Sequence, residues 1–220
     1  MDEVIVRPYT RADIPQLIDV QRECFPPPYP QDQLWSVAQL ESHIAHFPEG
    51  ALCAELNGLI VGSCTSLIIQ FDPEHPHHTW AEVAADGYIT THNPEGDSLY
   101  GIDMAVRPAY RGKGIARRMY QARFDLVRRL GLKRFLAAGR MPGYGAHAAR
   151  MSPEAYAQRV VSGELIDPVI TPQLRAGLRP VTVIHGYIED EASRNCALLL
   201  EWPNPDLEGP APGPGSRGTP

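Results

Sequence analysis

The chain has 220 residues, 43% of them hydrophobic and 21% charged, and a net charge of −6. That length holds one well-cored domain or two very small ones. The acidic balance excludes a non-specific nucleic-acid binder, which needs an excess of basic surface; the basic residues are instead concentrated between Arg107 and Arg134.

The first ten residues, MDEVIVRPYT, carry acids and no long apolar run, so they do not read as a signal peptide. No stretch approaches the roughly 18 apolar residues of a membrane helix. Cys24, Cys53, Cys64 and Cys196 show no CxxC spacing and read as reduced and mostly buried. A soluble, cytoplasmic protein, monomer or homodimer, is the expectation.

Residues 4–7 read as a short strand. In the YTRADIPQLIDVQREC that follows, Thr10 is placed to cap a helix and Asp13 stands three residues later. Ile14, Leu17, Ile18 and Gln21 continue at helical spacing. FPPPYP, residues 25–30, breaks the chain, since proline neither continues a helix nor donates to a sheet. A second helix is expected over about 36–47.

The period then changes. Asn57-Gly58 lies between two apolar runs and signals a hairpin, because both residues tolerate positive φ. Residues 51–56 and 59–69 should therefore be antiparallel neighbours. A long polar loop containing DPEHPHH leads to a third strand over 98–106. A helix from about 115 to 130 buries Ile115, Met119, Ala122, Leu126 and Leu130, turns Arg117, Arg118, Arg128 and Arg129 elsewhere, and ends at Gly131. Strands KRFLAAG, VTVIHGYI and CALLLEW close the sheet. Residues 140–170 form an irregular insert with one short helix begun by Ser152-Pro153-Glu154. Residues 203–220 hold six prolines and four glycines and should be a disordered tail after a domain spanning 1–202. The fold class is α/β, one sandwich around a mixed sheet.

VRPAYRGKGIARRMY, residues 106–120, places Arg111, Gly112, Lys113 and Gly114 just before the apolar stripe of that helix. Free amides at a helix N-terminus carry about half a positive charge, and glycines let phosphate oxygens approach the backbone. The pattern reads either as an anion site or as a tight turn with solvated bases. It is not a Walker A loop, because Gly114 follows Lys113. It is not a dinucleotide fingerprint, because Arg117 stands where glycine belongs.

VRPAYRGKGIA resembles the signature of the GNAT superfamily of N-acetyltransferases at Val106, Pro108, Arg111, Gly114 and Ala116. LYGIDMAV, AAGRMPGY, MSPEAYAQRVVSGELIDPV and ALLLEW resemble the acetyltransferase domain often fused ahead of a carbon–nitrogen hydrolase; the likeness covers roughly 99–202, and the chain reads as a stand-alone version. The resemblance implies a three-layer sandwich around a mostly antiparallel sheet splayed at the cofactor site. It also implies acetyl-CoA as cosubstrate and an amine as acceptor. The pyrophosphate would lie on the amides of Gly112, Lys113, Gly114, Ile115 and Ala116, with Arg111 beside it. The pantetheine would pair with the backbone of Met104, Ala105 and Val106, like an extra strand. The Val106 amide would donate to the thioester carbonyl. Lys113, Arg117 and Arg118 either reach the nucleotide phosphates or form a solvated face.

An amine with a pKa near 10.4 costs roughly 4–5 kcal/mol to deprotonate at pH 7, so a positioned base is valuable. Asp103, which reads either as that base or as a structural strand acid, is the favoured candidate and Tyr100 the other. The tyrosine that the family places as general acid, four residues before a helix-ending glycine, is replaced by Gln173 ahead of Gly177; Tyr144 is a substitute acid or a loop aromatic. His75, His77 and His78 sit in a proline-rich loop without the ligand spacing of a metal helix, so no metal is expected. No Gly-x-Ser-x-Gly elbow supports a hydrolase. The reading is an acetyl-CoA-dependent N-acyltransferase; the alternative is a catalytically silent CoA-binding sensor or scaffold.

Overall fold

The Asn57-Gly58 turn folds as its residues require. In a computed structural model describing residues 3–27, 31 and 34–207, Asn57 and Gly58 have φ of 52° and 79°. The turn joins β2 (Ala51–Leu56) to β3 (Leu59–Ile69) as antiparallel neighbours. β1 (Ile5–Pro8) pairs with the other edge of β2. β3 then meets β4 (Ser98–Gly101) and β5 (Ala105–Val106), both antiparallel. β6 (Arg134–Arg140) lies parallel to β4. A parallel neighbour needs a crossover, and α4 (Ile115–Arg129) supplies it. β8 (Ala197–Pro203) and β7 (Arg179–Ile184) complete an open mixed sheet of eight strands, in the order β1-β2-β3-β4-β6-β8-β7 with β5 beside β3.

Strand alternation gives the sheet two apolar faces. Leu52, Ala54, Val61 and Cys64 form a cluster with Ile115 and Met119 of α4. Ala51, Cys53 and Ile60 belong instead to the large core that includes Leu17 and Val20 of α1 (Ile14–Cys24) and Leu40 of α2 (Val37–His46). The result is the expected three-layer sandwich. Ahead of α1, Asp13 accepts from the Thr10 amide (2.7 Å) and lies 2.9 Å from Arg7. The Arg7 guanidinium holds the Asp13 carboxyl down at about 2.

Several expectations are corrected. The polar loop after β3 contains a helix, α3 (Trp80–Ala84), started by a Thr79–Glu82 capping box. Leu130 caps α4 and is exposed, whereas Tyr120, Phe124, Val127 and Arg123 join its buried face. The insert helix is α5 (Pro153–Val161), and α6 (Ile170–Arg175) follows it. Residues 203–207, expected in the tail, belong to the fold. Pro203 pairs with Arg134. Asn204 is 2% exposed and donates from Nδ2 to the Leu132 carbonyl at 2.9 Å. The rest of the tail, 208–220, and part of FPPPYP, 28–30, lie outside the described residues. The four cysteines are free thiols. Among the described residues no helix is long and apolar enough to cross a membrane.

Candidate active site

The strand expected over 98–106 is broken. β4 pairs with β3 in a register that puts Gly101 opposite Ser66, while β5 puts Ala105 opposite Ser63. Ile102, Asp103 and Met104 thus stand opposite only Cys64 and Thr65, a bulge. Peptide groups there lose ladder partners, and side chains replace them. The Asp103 carboxylate accepts from the Thr65 amide (2.6 Å) and from Trp35 Nε1 (3.0 Å). Arg123 Nη2 donates to the carbonyls of Thr65 (2.8 Å) and Asp103 (2.6 Å). Trp80 Nε1 donates to the Ile102 carbonyl at 3.1 Å. Arg123 is 2% exposed and lies 5.3 Å from the Phe135 ring centre and 6.0 Å from that of Tyr120, so two aromatic faces offset part of the cost of burying its charge. Asp103, favoured from sequence as the base, has both carboxylate oxygens engaged in closing the bulge.

Beyond the bulge the sheet opens. β4 and β6 pair only as far as Gly101 and Ala137, while β6 continues beside β8 to Arg140. The Arg107 amide donates to the Val61 carbonyl at 2.9 Å. Antiparallel alternation then turns the N–H and C=O of Val106 away from β3, toward the gap. Its carbonyl accepts from Cys24 Sγ (3.2 Å) and Arg111 Nε (3.0 Å). Arg111 is therefore folded back on the strand edge.

Residues 111–116 lead from that edge into α4. Gly112 and Gly114 have φ of 75° and 77°, and a Cβ on either would meet nothing within 4 Å. The left-handed backbone explains both glycines, and the open space leaves their peptide groups accessible. Arg118 N–H donates to Gly114 O, so the amides of Ile115, Ala116 and Arg117 precede the helical ladder and have no intrahelical acceptor. Gly114, the N-cap, has no side chain to take them. Lys113 Nζ sits 5.0 Å from the Tyr110 ring centre, and Arg118 reaches back to the Val4 carbonyl at 3.3 Å.

Tyr100 lies one residue before the point where β4 and β6 part, and is fully buried. Its hydroxyl is 2.7 Å from His78 Nε2 and 3.1 Å from the Tyr187 hydroxyl. Burial pushes both phenols above, and His78 below, their ordinary values. Tyr144 is 6% exposed, donates to the Met151 carbonyl at 3.2 Å and packs against Tyr156. Gln173 on α6 is buried over Gly139 of β6, and its Oε1 has no hydrogen-bond partner among the described residues. A cavity of about 790 Å³ borders the open edge, lined by Cys24, Phe25, Pro142, Ala146, Asp190 and Glu191, among others.

The 104–106 edge leads directly into the 111–116 loop, while the buried hydroxyls of Tyr100 and Tyr144 are engaged with His78 and with Met151. Sequence reasoning missed Arg123, Trp35, Trp80 and Tyr187 and considered His78 only for metal. Among the described residues no group of three or more His, Cys, Asp and Glu could hold a metal ion; His75 bonds to Asp72 at 2.8 Å, and His78 turns inward. The capping box of α3 was legible in the sequence, but nothing local links His78 to Tyr100.

Residues 14–149 match the family model described as the acetyltransferase (GNAT) family. The chain is 45% identical over 203 residues to a Bacillus subtilis protein named an uncharacterized N-acetyltransferase, YkwB, across 92% of this chain and 90% of that one. It is 42% identical over 205 residues to the Bacillus subtilis protein YhcX, named a probable hydrolase, across 93% of this chain but only 39% of that one. Among solved structures, a GphF GNAT-like decarboxylase in complex with isobutyryl-CoA shares the fold with a TM-score of 0.75 at 23% identity, across 91% of this chain and 99% of that one.

Proposed function

The chain belongs to the acetyltransferase (GNAT) family, and from that premise we propose that it is an acetyl-CoA-dependent N-acyltransferase, moving an acetyl group to a primary amine of a small molecule or peptide. The observation that carries this reading is the convergence of an unpaired strand edge at Val106 with free helix-start amides at 115–117. A chain-like amide arm ending in a pyrophosphate suits both. Acyl-CoA supplies the activated thioester.

In this reading the amides of Gly112 to Ala116 hold the pyrophosphate, aided by the helix dipole, with Lys113 and Arg117 near its charge. Arg111 leaves the Val106 carbonyl for the phosphates, which frees that edge for the pantetheine beside Met104, Ala105 and Val106. The Val106 N–H donates to the thioester carbonyl as negative charge grows there. The acceptor enters through the cavity beside Cys24, whose lining carries Asp190, Glu191 and Arg194. Tyr100, rather than Asp103, is the group that meets the amine.

The test is a pair of substitutions. Any residue other than glycine at 114 is strained, so Gly114→Ala measures strain alone. Gly114→Glu adds a carboxylate where the pyrophosphate lies. CoA affinity by calorimetry should fall at least tenfold further in Gly114→Glu than in Gly114→Ala, with both folded by circular dichroism. Equal affinity in the two variants would refute the placement.

A second reading, a CoA-binding module without turnover, is favoured by two observations: Gln173 stands where a tyrosine acid is expected, and Tyr144 is tied to Met151. It is weakened by the thiol's ordinary pKa near 8.5, which lets the thiolate leave without an acid.

A further inference from the structure

His78 comes from the DPEHPHH loop, which the site reading leaves without a role. Its surroundings determine its protonation pattern. Nδ1 lies 2.8 Å from the Pro76 carbonyl. A carbonyl only accepts, so Nδ1 carries the proton and neutral His78 presents a bare Nε2. The 2.7 Å contact to Tyr100 is then donated by the Tyr100 hydroxyl. That uses the only proton of Tyr100, so the 3.1 Å contact from Tyr187 is donated by Tyr187. Three groups from three separate stretches form one directed line, ending on an unprotonated nitrogen.

The line is held in place. The two tyrosine rings meet the imidazole edge-on, at 5.3 and 5.9 Å between centres. Two residues after His78, the Trp80 amide donates to the Tyr187 carbonyl at 2.7 Å, and the Trp80 indole donates to the bulge at Ile102. Burial lowers the His78 pKa, so the ring is neutral at pH 7. Of the charged groups around it, Glu82 on α3 acts to raise that pKa and His77 on its own loop to lower it. Tyr100 faces it from β4 and Tyr187 from the turn after β7.

We propose that His78 is the proton acceptor for acyl transfer, reached through the hydroxyl of Tyr100 at the fork of β4 and β6; this rests on the acyltransferase reading above. The bound ammonium gives a proton to the Tyr100 oxygen as the Tyr100 proton passes to His78 Nε2. The amine is now neutral and the imidazole cationic. The C–N bond forms as the C–S bond breaks, and sulfur leaves with the bonding pair and takes up the proton that nitrogen sheds on acylation. His78 returns its extra proton to solvent. Tyr100, which is fully buried, is the group the amine must reach, and His78 acts through it.

The experiment uses the full chain, acetyl-CoA and the best amine of a panel, with thiol release measured from pH 5 to 9. Wild-type kcat should fall on the acid side as His78 takes up a proton. His78→Gln keeps an acceptor for the Tyr100 hydroxyl but does not titrate. It should lower kcat at pH 7 by about a hundredfold or more and lose that acid limb. Tyr100→Phe should do the same, and the double variant should be no worse than the poorer single. CoA affinity should be unchanged in all three. If His78→Gln keeps wild-type kcat, or loses the same factor at every pH with the acid limb intact, His78 is only a loop fastener and the proposal is wrong. If the wild type itself binds CoA but releases no thiol with any amine, the acyltransferase reading fails and the relay falls with it.

Discussion

The loop at 111–116 and the bulge at 102–104 lie on either side of the same two-residue strand, yet they are built by opposite means. The loop is made of backbone: two left-handed glycines, open space around them and helix-start amides without intrahelical acceptors. The bulge is made of side chains: Asp103, Arg123 and Trp80 bond its peptide groups, and Trp35 holds the Asp103 carboxylate. One leaves polar groups outside the helical ladder, and the other uses them up to hold the sheet apart. A splayed sheet needs both, because strands part only where something else satisfies their peptides.

The largest expected effect is at the bulge. Asp103→Ala leaves the Thr65 amide and the Trp35 indole without acceptors, and should lower unfolding free energy by about 2–4 kcal/mol in a urea titration. Asp103→Asn keeps one acceptor and should lose roughly half of that. Its kcat should keep the wild-type pH profile; a lost acid limb in Asp103→Asn would return the base to Asp103. At the loop the order reverses. Gly114→Glu should weaken CoA at least tenfold beyond Gly114→Ala, about 1.4 kcal/mol, and the two should melt at similar temperatures.

Asn204→Ala extends the comparison to the domain end. It removes the bond to Leu132 and the acceptor for the Asp206 amide, and should cost about 1–2 kcal/mol in the same titration. No change would return residues 203–207 to the tail. The smallest effect belongs to Lys113→Ala. Lys113 is exposed and stacks on Tyr110, so stability should hold while CoA affinity drops about two- to fivefold at low salt. That loss should vanish at high salt; a salt-independent loss would mean that the lysine packs rather than attracts.

The same contrast explains what could be read from the sequence. Hairpin, cap and glycine-loop signals are local: Asn57-Gly58, Thr10 with Asp13, and Gly112 with Gly114 each announce a backbone conformation within a few residues. The family resemblance rests on the same kind of stretch. The bulge does not announce itself, because Asp103 finds its partners at Thr65 and Trp35, and Arg123 reaches across from another layer. Charge misled there as well. Arg123 is spaced like its solvated neighbours but stacks on Phe135 and Tyr120 inside the core. Asp103 read from sequence either as a base or as a structural strand acid, because the broken ladder it mends is invisible without the register.

The central claim is acyl transfer from acetyl-CoA to an amine, and thiol release measures it most directly. With acetyl-CoA and a broad panel of primary amines and peptide N-termini, thiol should appear at a rate that rises with amine concentration for at least one acceptor, and mass spectrometry should find that acceptor heavier by one acetyl group. Saturable CoA binding with no amine-dependent thiol release across the panel would contradict the account and leave a CoA-binding module in its place.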